Sequence, residues 1–149
     1  MIEKSCFFIG RRETGGEVYP ALLECTARQA DEYGIESFFV GPRGAFDAMA
    51  ARAVREVKKS RPQVKLWLLL SVYRPEWSLQ LPEGFDGSFF PPGMEAVPPR
   101  FALARANQYM AANCACLIAH APHTAGSAQR LLRCAREFEK KGQLRVCLV

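Results

Sequence analysis

The chain has 149 residues, of which 49% are hydrophobic and 23% are charged, and this length and balance predict one globular domain over residues 1–149. No apolar run reaches the roughly 18–20 residues that a membrane span needs, and the start MIEKSCFFIG lacks the basic and then apolar layout of a signal peptide. The composition therefore argues against a membrane protein, and the expected compartment is the cytoplasm.

Positive charge is concentrated in the last third of the chain. The formal net charge is +5, and residues 100–149 carry eight Lys or Arg against two Glu. Such asymmetry is typical of proteins with an anionic partner, although Arg130, Arg133 and Arg136 also have the spacing of a solvated helix face. We expect a small anionic ligand, with nucleic acid as the alternative. The sequence leaves a homo-oligomer open.

The first half of the chain alternates between short apolar runs and amphipathic segments. Leu22, Leu23, Ala27 and Ala30 form one helical stripe that stops at Gly34, a typical residue after a helix end. The runs SCFFIG, IESFFVG and VKLWLLLSV have the length and apolarity of strands that are buried on both faces. The pattern predicts strands over 5–10, 35–41 and 64–72, and helices over 19–34 and 47–62.

The second half begins with a long loop and then returns to the same alternation. Six of the ten prolines lie between residues 73 and 99, which predicts a loop with one short extended piece at 87–90. Long loops in compact domains are often functional. After the loop, the pattern predicts a helix over 99–113, a strand over 114–120, a helix over 125–142 and a strand over 144–149.

Strands that alternate with helices predict an α/β fold with right-handed crossovers. We expect a single Rossmann-like three-layer domain with about five mainly parallel strands in the order 3-2-1-4-5 and helices on both faces. In such sheets ligands bind beyond the carboxyl ends of the strands, where the winding reverses between strands 1 and 4. Turns at 10–14, 41–47 and 120–127 are predicted to meet there.

The turn GPRGAFD, residues 41–47, is a candidate anion site. Gly41 and Gly44 allow a close approach of the backbone, and Arg43 can donate two hydrogen bonds to an anion. The start of the following helix would direct free N–H groups at the turn. Asp47 has two interpretations, as the N-cap of that helix or as a contact to a ligand hydroxyl.

Other candidate residues lie in the second half of the chain. Two histidines, His120 and His123, fall near the same sheet edge, but a catalytic role is not favoured because no partnered nucleophile is evident. The chain lacks a nucleophile elbow, a P-loop and a complete dinucleotide-binding motif. The remaining candidates open the last two helices: Arg100, Arg105, Asn107, Thr124, Gly126 and Ser127.

The cysteines are interpreted mainly as structural. Cys6, Cys116 and Cys147 lie in apolar, strand-like runs, where a thiol acts as a small core residue. Cys114 and Cys116 are two residues apart, so a strand would place them on one face. No second pair has zinc-site spacing, and a metal or redox role is therefore only the alternative.

Four segments together resemble the SLOG superfamily: CFFIGRRET, FFVGPRGAFDAMA, FFPPGMEAVPPRFALARANQYM and HTAGSAQ. That group includes the DprA/Smf DNA-processing proteins and the LOG phosphoribohydrolases, and the match is best to its short stand-alone bacterial members of the YpsA type. The resemblance implies a Rossmann-like fold and a pocket for a nucleotide or nucleotide-derived ligand. With the turns, it predicts a site of Gly10, Arg11, Arg12, Glu13, Gly41, Pro42, Arg43, Gly44, Phe46, Asp47, Arg105, Asn107, Thr124, Ala125, Gly126 and Ser127.

The chain also departs from the pattern of that superfamily. LOG-type enzymes carry a glutamate after the second glycine turn, whereas this chain has Gln129 and Arg130, which argues against N-glycosidic hydrolysis. We therefore predict non-catalytic binding or sensing, with no metal and no firmly assigned cofactor. The alternatives are a phosphoribohydrolase-like enzyme and a nucleic-acid-binding protein related to DprA. Further departures from the usual residues occur at Arg11, Pro42, Ala106, Ala115 and Ala125.

Overall fold

A computed structural model describes residues 4–72, 81–122 and 126–149. The described residues form one parallel sheet of six strands in the order β4-β3-β2-β1-β5-β6. The strands are β1 (Ser5–Gly10), β2 (Ser37–Val40), β3 (Lys65–Leu69), β4 (Gly87–Phe89), β5 (Cys116–His120) and β6 (Arg145–Leu148).

Within the described residues, four α-helices connect these strands, and two short 3-10 helices, Gly16–Val18 and Met94–Ala96, lie in the connections. Within the described ranges, no helix has both the length and the apolarity that a membrane crossing requires. The α-helices are α1 (Tyr19–Tyr33), α2 (Gly44–Ser60), α3 (Pro99–Asn113) and α4 (Ser127–Lys140).

The core has two halves, one on each face of the sheet. Successive residues of a strand point to opposite faces, so Cys6 and Phe8 pack against α1 and α2 whereas Phe7 packs against α3 and α4. Phe7 and Phe38 are fully buried, and each such ring contributes about 1.5–3 kcal/mol of hydrophobic free energy. The three-layer Rossmann-like arrangement predicted from the alternation is confirmed.

The strand order is confirmed and extended by one strand. The five predicted strands occur as β3-β2-β1-β5-β6, and the extended piece predicted at 87–90 pairs with β3 as the edge strand β4. Asp86 anchors this edge, because its carboxylate accepts hydrogen bonds from Lys58 Nζ at 2.6 Å and from the Leu66 N–H at 2.9 Å. The predicted loop at 73–80 lies outside the described residues.

Two predictions about local structure were wrong. Helix α2 begins at Gly44 rather than at Asp47, because Gly44 adopts φ +84° and lets the chain enter the helix three residues earlier. Cys114 and Cys116 do not share a face. Cys114 follows the end of α3 and packs against α3 and α4, whereas Cys116 lies in β5 and packs towards α1 and α2. The end of α1 is as predicted, with Gly34 at φ +67°.

Candidate functional site

A cavity of about 960 Å³ lies at the carboxyl edge of the sheet, where the chain leaves β1 and β5 in opposite directions. Its described walls come from the turns after β1 and β2, the first turns of α3 and the start of α4. The three turns that were predicted to converge therefore contribute to one cavity, apart from residues 123–125, which lie outside the described part of the chain.

Most of the predicted site residues border this cavity. They are Gly10, Arg11, Arg12, Glu13, Gly41, Pro42, Arg43, Asp47, Asn107 and Gly126. Among the described residues, Gly44, Phe46 and Arg105 are not part of the wall. Thr124 and Ala125 lie outside the described residues, and Ser127 is the first residue of α4.

Gly44 and Phe46 support the wall from behind. A Cβ atom at Gly44 would lie 2.6 Å from the Cα atom of Arg12, so a glycine is needed for α2 to pack against the turn after β1. The Phe46 ring is 1% exposed and fills the space that a side chain at Gly10 would occupy. Both residues hold Gly10 and Arg12 at the cavity, while Arg105 is exposed on α3.

The start of α2 is less open to an anion than the sequence predicted. The Ala45 N–H donates to the Arg12 carbonyl at 2.8 Å, and the Arg43 N–H donates to Asp47 Oδ2 at 3.0 Å. Two N–H groups near this helix start are therefore used within the protein. An anion at this turn would therefore meet arginine side chains more than free backbone N–H groups.

Asp47 is neither the N-cap nor an ordinary surface carboxylate. The N-cap position is held by Arg43, and Asp47 reaches back from the first turn of α2 to the N–H of that residue. Its carboxylate lies so near Gly41 that a Cβ atom there would be 2.8 Å from Oδ2. Burial raises the pKa of Asp47 to about 6, against the lowering effects of the Arg43 N–H and the Arg12 charge.

The described wall is strongly cationic. It contains Arg11, Arg12, Arg43, Arg100 and Arg130, and its only described carboxylates are Glu13 and Asp47. The one salt bridge among these groups joins Arg11 to Glu13 at 3.8 Å, and both side chains are exposed. Such a pair contributes little to stability. Most of the arginine charge is therefore free to attract a negatively charged molecule.

The start of α4 forms the wall opposite the turn after β2. Gly126 has φ +112°, a conformation that side chains rarely adopt, and it is followed directly by the first turn of the helix. The Gln129 side-chain amide donates to the Ala121 carbonyl and ties α4 to the end of β5. Ala128, Gln129 and Arg130 border the cavity, so the positive end of the helix dipole lies at its edge.

Phe101 and Arg130 are among the wall residues that the sequence did not predict as part of the site. Phe101 lines the cavity with 52% of its surface exposed, and the Arg100 guanidinium lies 4.8 Å from the centre of its ring. A signal was present, since the buried stripe of α3 is Ala102, Ala106 and Met110, which leaves Phe101 off the core face. Arg130 was interpreted as part of a solvated face and as a departure from the LOG pattern, and not as a ligand contact.

The described histidine has a structural contact. His120 Nδ1 lies 2.6 Å from the backbone oxygen of Val149, and its ring stacks on Phe46. Among the described residues, no group of three His, Cys, Asp or Glu side chains could hold a metal ion. Asn107, 7% exposed, adds a neutral polar group to the wall.

The sheet, its helices and the cavity at the strand ends define a Rossmann-like α/β protein. No family model matches the chain, and no curated protein matches it. Among solved structures, it is similar to S. aureus TarJ, crystallised in complex with NADPH, with 15% sequence identity and a TM-score of 0.44. The match covers 88% of this chain and 43% of TarJ, so this chain spans less than half the length of that protein.

Proposed function

We propose that the chain is a member of the SLOG superfamily that binds a nucleotide or nucleotide-derived anion without chemical turnover. The observation that carries the proposal is the cationic cavity at the switch point of the sheet, with five arginines against two carboxylates in its described wall. Ligands of parallel α/β sheets bind at this position. Arginines suit phosphate because the guanidinium donates two parallel hydrogen bonds.

The two sides of the cavity differ in chemistry, as the two ends of a nucleotide do. Arg11, Arg12 and Arg43 follow β1 and β2, and they are the donors for phosphate. The exposed ring of Phe101 on α3 is a flat apolar surface on which a base can stack. Together these groups fit a molecule with an anionic end and an aromatic end.

A small ligand is favoured over nucleic acid by the charge pairing on α4. Arg136 pairs with Glu139 at 2.6 Å and Lys140 pairs with Glu137 at 3.4 Å. The outer face of this helix is therefore partly neutralised, whereas Arg130 at its start borders the cavity without a described acidic partner. Part of the unpaired positive charge of this helix therefore lies at the cavity.

One observation favours a second candidate, an enzyme that acts on nucleotides. Asp47 borders the cavity, and its pKa of about 6 suits a general acid or base near neutral pH. In contrast, Gln129 and Arg130 stand where the resemblance expects the glutamate of the LOG type, and the Gln129 amide donates to a backbone carbonyl. Binding without turnover is the proposal we favour.

The binding proposal is tested by thermal unfolding with AMP, ADP, ribose 5-phosphate and adenosine. A ligand present at 100 times its dissociation constant adds about 2.7 kcal/mol to the free energy of unfolding, so the melting temperature should rise with the phosphorylated compounds. Adenosine is the control, because it lacks the anionic group. If no phosphorylated compound shifts the transition, the proposal is wrong.

Hydrolysis is tested separately, by chromatography of AMP after prolonged incubation with the protein. We expect no release of free adenine or ribose 5-phosphate. Turnover that disappears in Asp47→Ala or Glu13→Ala would establish the enzyme instead. If the wild type shows no turnover and the two variants only bind AMP more weakly, the binding proposal stands.

A further inference from the structure

A second polar site lies on β6, away from the ligand cavity. Its centre is Cys147, a half-buried thiol on the edge strand of the described sheet. The Gln29 side-chain amide donates to Cys147 Sγ at 3.3 Å, and the Arg145 Nη2 group donates to Gln29 Oε1 at 2.7 Å. Gln29 is 0% exposed. Burying an amide costs free energy unless it is hydrogen-bonded. Here the amide nitrogen and the amide oxygen each have a hydrogen-bond partner.

The guanidinium of Arg145 is held in place beside this amide. It lies 3.7 Å from the centre of the Tyr33 ring, a cation–π distance. Its Nε atom is buried and has no hydrogen-bond partner among the described residues. One positive charge is thus fixed one side chain away from Cys147 Sγ. A thiolate sulfur would be stabilised both by the amide donor and by this charge.

Three elements around Cys147 contribute thiols or charged groups to this site. Helix α1 contributes Cys25 and Arg28, β5 contributes Cys116, and β1 contributes Cys6 next to Cys116. The S–H groups of Cys116 and Cys25 lie close enough to interact with the Cys147 sulfur. These contacts, with the nearby positive charges, hold the pKa of Cys147 below that of an ordinary thiol although burial opposes this.

The same residues border a groove that a small molecule can enter. This groove has a volume of about 600 Å³, and Tyr33, Leu144, Arg145 and Cys147 are part of its wall. Glu139 also lies in this wall, and its carboxylate pairs with Arg136. None of its described wall residues belongs to the ligand cavity. Reactive cysteines are typically found where a thiol is partly exposed in an electropositive surrounding, and Cys147 meets both conditions.

We propose that Cys147 is a nucleophilic thiolate that takes part in thiol–disulfide exchange with a low-molecular-weight disulfide. The Cys147 proton passes to solvent, and an electron pair of the thiolate sulfur forms a bond to one sulfur of the disulfide. The disulfide bond breaks, and its second sulfur leaves as a thiolate. The product is a mixed disulfide at Cys147. This site is independent of the proposed nucleotide binding.

The first test is the pH dependence of alkylation. The reduced 149-residue chain is treated with iodoacetamide between pH 6 and pH 8, and modification of Cys147 is followed by peptide mass spectrometry. N-acetylcysteine in the same solution serves as an ordinary thiol. The N-acetylcysteine rate should rise more than about tenfold over this range, since its thiolate fraction rises. The Cys147 rate should change less than about twofold.

Glutathione disulfide provides the second test. It should add one glutathionyl group at Cys147 in the wild type and none at that position in Cys147→Ser. In Gln29→Leu, which removes the amide donor, and in Gln29→Glu, which adds a negative charge, the alkylation rate should become strongly pH-dependent. If either variant does not fold, the pH dependence of Cys147 alkylation in the wild type still tests the proposal. The proposal would be overturned if Cys147 did not react, or if its alkylation rate rose with pH as steeply as that of N-acetylcysteine.

Discussion

At the scale of single residues, Asp47 makes the clearest prediction about pH. Its pKa is about 6 in the folded chain against 3.8 for an ordinary Asp, so the folded state holds the proton more tightly than the unfolded state. This group therefore lowers the free energy of unfolding as the pH rises from about 4 to about 6, and the loss is complete above that range.

Asp47→Asn tests this prediction, because an asparagine oxygen can still accept the Arg43 N–H but cannot ionise. The variant should match the wild type in stability near pH 4 and exceed it near pH 7 by at most about 3 kcal/mol, with a smaller value expected for a half-buried group. Urea unfolding at several pH values measures the difference. A difference that does not change with pH would contradict the assignment of a raised pKa.

Phe101 tests which end of the cavity holds a base. Base stacking on an aromatic side chain is worth about 1–3 kcal/mol by alanine substitution, so Phe101→Ala should weaken ADP binding roughly five- to a hundredfold. Ribose 5-phosphate has no base, and its affinity should not change. Phe101→Tyr keeps the ring and is the matched control. If Phe101→Ala lost equal affinity for ADP and for ribose 5-phosphate, the ring would only shape the cavity.

At the scale of elements, Gly44 joins α2 to the turn after β1. An alanine there would be strained at φ +84° and would place its Cβ atom 2.6 Å from the Arg12 backbone. Gly34→Ala is the matched control, since Gly34 has φ +67° with nothing within 4 Å of an added Cβ atom.

Backbone strain alone should lower the free energy of unfolding of Gly34→Ala by about 1–2 kcal/mol. The backbone clash predicts a larger loss in Gly44→Ala, of at least about 2 kcal/mol, and only this variant should lose affinity for ADP. Urea unfolding and calorimetric titration measure the two effects. Equal losses of stability would mean that α2 can shift away from the turn without cost.

Elements with a clear hydrophobic period were predictable, and those fixed by distant contacts were not. The stripe from Leu22 to Ala30 predicted α1 correctly up to Gly34. The start of α2 was misplaced because the contact between Gly44 and Arg12 joins segments that are 32 residues apart. The edge strand β4 was seen only as an extended piece, since its pairing depends on the anchoring of Asp86 by Lys58.

At the scale of the whole molecule, the position of the site was predictable but part of its wall was not. Alternating strands and helices determine where the winding reverses, and hence which turns meet. Phe101 and Arg130 enter the same cavity from the starts of two helices, α3 and α4. Their convergence depends on how α3 and α4 pack on the sheet, which local patterns do not reveal.

The central claim is that the arginine-lined cavity binds a nucleotide anion, and calorimetric titration of ADP tests it most directly. Arg43 borders the cavity, whereas Arg133 is exposed on α4 outside the described wall and serves as the matched control. A charge-assisted hydrogen bond is worth about 1.5–3 kcal/mol. Arg43→Ala should therefore weaken ADP binding by roughly ten- to a hundredfold, and Arg133→Ala should leave it within about twofold, with the unliganded stability of both variants unchanged. Equal affinities of the wild type and Arg43→Ala, or the absence of ADP binding in the wild type, would contradict the claim.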